Sequence, residues 1–202
     1  MFFYLIFGVT YAFAAAIQPG PFQTFIISKT LENGWKKTLP AAFAPVLSDG
    51  PIIVLVLFIL SKIPPELIRF LQIGGGLLLL YLAYSSFRSF INFEKLNKPE
   101  ENKTDSTLLK AVLVNLLNPA PYIGWSLIMG PMFIKGYQQN AVNGIALIAG
   151  FYITIVLCQM GIILLFGLAR NLGPKVTRIT LGIASVGLAA FGVYLLWQGV
   201  FY

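Results

Sequence analysis

The sequence predicts an all-α membrane protein whose six transmembrane helices form two inverted three-helix repeats, with helices 1 and 4 broken. The 202 residues are 57% hydrophobic and only 10% charged, whereas a soluble domain is typically about 25% charged. Several apolar segments exceed the roughly 18 residues that mark a bilayer span. Two of these segments are interrupted by paired prolines, in Pro19-Gly20-Pro21 and in Pro119-Ala120-Pro121.

The apolar segments suffice for six spans, separated by polar or turn-forming residues. A hydrocarbon core of about 30 Å requires about 20 apolar residues. Pro64-Pro65 and Gly173-Pro174 are turn signals between spans. The sequence predicts a first repeat at 1–91, a polar linker at 92–106 and a second repeat at 107–202. The predicted spans are 2–28, 38–60, 67–90, 108–134, 141–167 and 176–200.

Basic residues are distributed unevenly between the two sides of these spans. Eleven Lys and Arg residues, Lys29 among them, follow spans 1, 3 and 5, and three lie on the opposite side. Because basic loops stay in the cytoplasm, we expect the 92–106 linker inside and both termini outside. No basic residue precedes Lys29, so the first apolar run lacks the charged start of a signal peptide and is interpreted as a retained span.

Similar motifs occur in the same order in the two halves. The run 17–22 (IQPGPF) parallels 117–122 (LNPAPY), and 47–53 (LSDGPII) parallels 157–163 (LCQMGII). Each half has three spans, an odd number, so the second half enters the membrane upside down. Inverted repeats of this kind are a transporter architecture, in which the solute binds where the repeats meet.

The proline pairs are expected to open the helical backbone in the middle of the membrane. Proline has no N–H and clashes with the preceding turn, so the carbonyls of Ala15, Ile17, Asn115 and Leu117 lose their helical partners. In lipid such breaks persist only inside protein or beside water. Free carbonyls suit an ammonium group, and the half-helix N-termini suit a carboxylate. The alternative is a pair of structural kinks packed by neighbouring helices.

The candidate substrate-binding residues lie at the two breaks, beside them, or at the matching depth in span 5. They are Gln18, Pro19, Gly20, Pro21, Asn115, Asn118, Pro119, Pro121 and Gln159. With a rise of 1.5 Å per residue, the two breaks, Asp49 and Gln159 lie about 12–18 Å from the cytoplasmic edge. This depth is near the bilayer middle.

Asp49 is the only acidic residue in the interior of a predicted span. A charge at that depth costs about 3 kcal/mol or more and marks a functional site by default. We expect Asp49 to carry a proton or to pair with a substrate ammonium. The competing interpretation is a structural carboxylic acid bonded to a neighbour such as Ser48.

Other function classes fit these residues less well. A cation or metal-ion permease is the alternative, with Asp49 and free carbonyls as ligands, but one carboxylate is few for a divalent ion. A redox carrier needs paired thiols, and Cys158 is the only cysteine. The chain has no histidine, which excludes the usual zinc and copper sites. We therefore predict no enzymatic activity, no cofactor, no metal site and no nucleic-acid partner.

Small residues form a stripe on span 6, at Gly182, Ser185, Ala189 and Gly192. Such stripes allow close helix contacts, either within one chain or between two copies. A homodimer is therefore one arrangement that the sequence allows. The other expected partners are the lipid bilayer, a small-molecule substrate and protons.

Over essentially its whole length the chain resembles the LysE/RhtB family of amino-acid exporters. The matching motifs are Pro19-Gly20-Pro21, Gly34, Asp49, Leu80-Tyr81-Leu82-Ala83-Tyr84 and Asn118-Pro119. The family usually has glycine before the aspartate and lysine after Asn-Pro, where this chain has Ser48 and Ala120. The resemblance implies a transporter in the bacterial cytoplasmic membrane. It would export amino acids or related small solutes, driven by the proton gradient.

Overall fold

The computed structural model describes residues 1–18, 20–56, 65–91, 106–170 and 174–201. Within these ranges all regular secondary structure is helical, and no β-strand occurs. Pro19, the end of predicted span 2 and nearly all of the predicted linker lie outside the described residues.

The first half of the chain begins with a helix that is broken at the first proline pair. Its elements are α1 (Phe2–Ile17), α2 (Pro21–Asn33), the single turn α3 (Trp35–Thr38), a 3₁₀ segment (Leu39–Phe43), α4 (Ala44–Val54) and α5 (Pro65–Ile91). Helices α1 and α2 meet at an angle of 64°. Gly34 ends α2 with φ 84°, a backbone conformation that residues with a side chain rarely adopt.

The second half begins with a similar broken helix. Its elements are α6 (Thr107–Leu116), α7 (Pro119–Gly124), a π-helical segment (Trp125–Met129), α8 (Gly130–Gln139), α9 (Ala141–Arg170) and α10 (Pro174–Phe201). Helix α6 meets the rod formed by α7 and α8 at 53°. Pro21 and Pro119 each occupy the first position of the helix after the break, where the missing N–H removes no helical bond.

Three helices, α5, α9 and α10, are long and apolar enough to cross a membrane on their own. If each bent pair counts as one further span, the described residues contain up to five. Both bent pairs coincide with spans that were predicted to be broken, and predicted span 2 is described only as far as Val56. The all-helical membrane fold is therefore confirmed, and the inverted six-helix arrangement stays a prediction.

The long helices pack in two pairs, α1 against α9 and α5 against α10. Glycines allow close approach in both pairs. A Cβ on Gly150 would lie 2.7 Å from the carbonyl oxygen of Leu5, and one on Gly76 would lie 2.9 Å from that of Gly192. The small-residue stripe of span 6 is therefore used at least partly within the chain.

Buried apolar side chains form two clusters. The first joins α2, α5 and α10 through Phe25, Ile26, Leu79, Leu82 and Leu188. The second joins α1, the π-helical segment and α9 through Ala12, Trp125, Met129, Leu147 and Phe151. Many large apolar side chains outside these clusters are exposed, as expected for a surface that faces lipid.

A buried polar cluster near the end of α2 corrects the predicted boundary of span 1. Lys29, assigned from the sequence to a cytoplasmic loop, is buried inside α2 and forms an ion pair with Glu32. Ser28 Oγ donates to Glu32 Oε1 at 3.1 Å and lies 2.7 Å from Ser86 Oγ of α5. Glu32 is thus a second buried acid, and the ion pair with Lys29 compensates for its burial.

The close approach at Gly150 yields a stability prediction. Gly150→Ala places a methyl group against the backbone of α1, and overpacking of this kind costs about 1–3 kcal/mol. For a chain of this size, the melting temperature in detergent should fall by roughly 2–12 °C.

The matched control is Gly161→Ala on the same helix, where a Cβ would meet no heavy atom within 4 Å. Alanine is favoured over glycine in a helix by up to about 1 kcal/mol, so the melting temperature should stay level or rise. Equal melting temperatures for the two variants would contradict the packing of α1 on α9.

Candidate functional site

A cavity of about 430 Å³ lies where the two helix breaks meet, between the two apolar clusters. Asp49 lines it, together with all the predicted substrate residues that the structure describes. These are Gln18, Gly20, Pro21, Asn115, Asn118, Pro119, Pro121 and Gln159. The remaining predicted residue, Pro19, lies outside the described residues. The structure therefore brings together side chains that are up to 141 positions apart, from Gln18 to Gln159.

Side chains satisfy part of the backbone at the first break. Helix α1 ends with the N–H of Gln18 donating to the carbonyl of Ala14 at 3.2 Å. The carbonyl of Ala16 accepts from Gln23 Nε2 at 3.1 Å, and that of Gly20 accepts from Thr24 Oγ1 at 2.9 Å. The side-chain amide of Gln23 thus replaces the backbone N–H that an unbroken helix would donate to the carbonyl of Ala16.

The second break is capped by its own asparagine. Asn118 Oδ1 accepts from the N–H of Ala120 at 3.1 Å, which caps α7. The N–H of Asn118 donates to the carbonyl of Asn115 at 3.2 Å, and Tyr122 donates to the carbonyl of Leu116 at 2.9 Å. The expectation of a free carbonyl at Asn115 is therefore wrong, because the chain turns at the break and reaches back to it.

Asp49 lies on α4 and is only 3% exposed. Asn115 Nδ2 donates to Asp49 Oδ1 at 3.1 Å and also to Ser48 Oγ at 2.7 Å. Two longer contacts reach Asp49 Oδ2, from Trp125 Nε1 at 3.5 Å and from the Tyr152 hydroxyl at 3.4 Å. Because a buried carboxyl group needs polar partners, this side chain connects α4 to α6, α9 and the π-helical segment.

Gln159 is 1% exposed and faces the same cavity from α9. Its Oε1 has no hydrogen-bond partner among the described residues. An unpaired buried acceptor costs about 1–3 kcal/mol. Gln159 thus adds to the cavity wall a buried amide oxygen that no described group satisfies.

The rest of the cavity wall is part polar and part aromatic. The other polar side chains are neutral, at Gln18, Gln23, Asn115, Asn118 and Gln198, and the aromatic ones are Tyr11, Phe22, Trp125, Phe151, Phe191 and Tyr194. Of the described residues in this wall, none is Lys or Arg, and Asp49 is the one carboxylic acid. In the described ranges, no three His, Cys, Asp or Glu side chains form a group that could hold a metal ion.

Two partners of Asp49 were not identified from the sequence. Trp125 is buried, and its indole N–H points at the carboxyl group. Tyr152 was not singled out. It lies seven residues before Gln159, which is two helical turns, so the two share a face of α9. That spacing is the signal that could have identified Tyr152.

Comparisons with known proteins agree with the fold and with the motifs. Residues 13–199 match the LysE type translocator family. A relative in Bacillus subtilis (strain 168), named "Putative amino acid efflux protein YcgF", is 25% identical over 189 residues, or 90% of this chain and 89% of the relative. No solved structure matches the chain. The family match includes the end of α1, both breaks, Asp49 and every cavity-wall residue except Tyr11, and it covers most of the chain, so the chain belongs to the LysE type translocator family.

Proposed function

We propose that this protein is a secondary transporter that exports an amino acid or a related small solute across the cytoplasmic membrane. The observation that carries the proposal is the single cavity at which both helix breaks and Asp49 meet. Broken helices placed around a polar cavity are how transporters expose backbone groups to a solute at membrane depth. The efflux activity named for the Bacillus subtilis relative supports the same direction of transport.

The two ends of an amino acid would find different partners in this cavity. The N-terminus of α2 faces it, and Gly20, the N-cap, makes no side-chain capping bond. By contrast, Asn118 already caps α7. The positive end of the α2 dipole therefore suits the solute carboxylate, and the acceptors elsewhere in the wall suit its ammonium group.

Asp49 is proposed to carry the proton that drives export. It is the carboxylic acid of the described cavity wall, and its three donors come from three separate parts of the fold. A change in its protonation changes which of these donors it can hold. Proton binding would in this way alter the packing of α4 against α6 and α9, which surround the solute.

The proposed architecture is two inverted repeats, residues 1–91 and 107–202, joined by a cytoplasmic linker at 92–106. Both chain termini then lie outside the cytoplasmic membrane. The similar bends of 64° and 53° at corresponding prolines support the repeat. The excess of basic residues after spans 1, 3 and 5 supports the orientation.

Replacement of Asp49 should uncouple transport from the proton gradient. In proteoliposomes with an imposed pH gradient, Asp49→Asn should slow gradient-driven solute transport by at least about tenfold, equivalent to about 1.4 kcal/mol. Exchange of labelled for unlabelled solute without a gradient should persist, because the amide keeps the size of the side chain. Both rates are measured with radiolabelled amino acids.

The control is Glu66→Gln, which removes a carboxylate from the exposed start of α5. This variant should retain gradient-driven transport at the wild-type rate. Undiminished gradient-driven transport by Asp49→Asn would remove the proposed role of Asp49.

The proposed orientation predicts which positions can be labelled from outside the cell. In a Cys158→Ala background, Gln138→Cys should react with a membrane-impermeant maleimide on intact cells, because the turn between α8 and α9 would lie outside. Lys36→Cys should react only after the cells are made permeable. Both native side chains are exposed, so the reverse pattern would reverse the topology.

A further inference from the structure

We propose that the cavity selects a neutral amino acid with a bulky apolar side chain, whose ammonium group donates a hydrogen bond to Gln159 Oε1. This inference rests on the proposed export function, since it assigns a substrate class to the same cavity. Three observations support it: an acceptor without a partner, the charge of the wall, and its aromatic surface.

The unpaired oxygen of Gln159 identifies the kind of group that binds beside it. Gln159 is 1% exposed and its Oε1 has no partner in the described part of the chain. An ammonium group has only donors, whereas a carboxylate has only acceptors. A solute therefore satisfies this oxygen with its ammonium end and not with its carboxylate end.

The charge of the cavity wall restricts the solute further. Asp49 is the one carboxylic acid in the described wall, and no Lys or Arg accompanies it. A solute with an acidic side chain would bring a second carboxylate without a cation to meet it, and burial of such a charge is costly. A solute with a basic side chain would bring a second ammonium, for which the described wall holds no second carboxylate.

The remaining surface of the wall is shaped for an apolar side chain. It is formed by Tyr11, Phe22, Phe151, Ile155, Phe191 and Leu195. The rings of Tyr11 and Phe151 stack at 6.1 Å, and Phe151 meets Trp125 edge to face at 6.0 Å. The volume of about 430 Å³ lies within the usual range of small-molecule sites, about 300–1,000 Å³. This surface can remove a large aromatic or branched side chain from water, which favours its binding.

Competition against labelled phenylalanine tests the inference on the unmodified protein. Wild-type protein in proteoliposomes should transport phenylalanine. Phenethylamine, which lacks the carboxylate, should inhibit at a concentration at least about tenfold lower than 3-phenylpropionate, which lacks the amino group. Glutamate and lysine should inhibit weakly. Equal or stronger inhibition by 3-phenylpropionate would overturn the assignment, because the ammonium would then not be the group recognised.

A matched pair of variants tests the role of Gln159. Gln159→Met keeps a similar length but has no amide oxygen, so the apparent KM for phenylalanine should rise about tenfold or more. The preference for phenethylamine over 3-phenylpropionate should disappear with it. Gln138→Met, at an exposed position on α8, should leave both quantities unchanged. An unchanged KM in a folded Gln159→Met protein would overturn the role of this side chain.

Failure of the substrate assignment is distinguishable from failure of the proposed function. Gradient-driven transport of glutamate or lysine without transport of phenylalanine would overturn the substrate class but leave amino-acid export standing. Transport of none of these amino acids by folded protein would overturn both. Stabilisation by phenylalanine, measured as a rise in melting temperature, provides a readout of binding that does not depend on transport.

Discussion

Proline cannot donate a backbone hydrogen bond, and the hydrocarbon interior of a bilayer has no water to replace one. A proline pair within a membrane helix therefore has to be surrounded by protein groups that serve the exposed carbonyls. Gln23 does so for Ala16, the N–H of Asn118 for Asn115, and Tyr122 for Leu116. Because both breaks have to lie inside the protein, the helix ends on either side of each break face the same interior region. The cavity, its polar side chains and the burial of Asp49 all depend on this requirement.

The sequence was sufficient to predict the breaks, the helical fold and the interior position of Asp49, because each has a local cause: a missing N–H, a long apolar run, or a carboxyl group within such a run. The partners of Asp49 depend instead on how each helix is rotated. Trp125 and Tyr152 lie in segments that are apolar on most sides, so no contrast between polar and apolar faces indicates which side chains point inward. The position of Lys29 was mispredicted for a related reason. A charge normally marks the end of a span, but Glu32 compensates for this one inside α2.

The two breaks differ at their middle residue, which is Gly20 in the first and Ala120 in the second, but the geometry of the first break does not require glycine. Gly20 has an extended backbone, and a Cβ there would lie 3.8 Å from its nearest neighbour atom, Gln23 Oε1. Alanine would therefore fit at this position, as Ala120 does in the second break. The difference with structural consequences is the capping residue, because Asn118 closes the start of α7 whereas the start of α2 has no side-chain cap. The first break is thus the one whose helix start has no side-chain cap.

The described cavity wall holds a single carboxylic acid and no basic residue, so Asp49 is the charge through which a membrane potential would act at this site. Each elementary charge that crosses a potential of 100 mV changes the free energy by about 2.3 kcal/mol. A zwitterion has no net charge, so its own passage is insensitive to voltage. In the export mechanism proposed above, the electrical work of a cycle would come from the Asp49 carboxyl group and from the proton that it holds or releases.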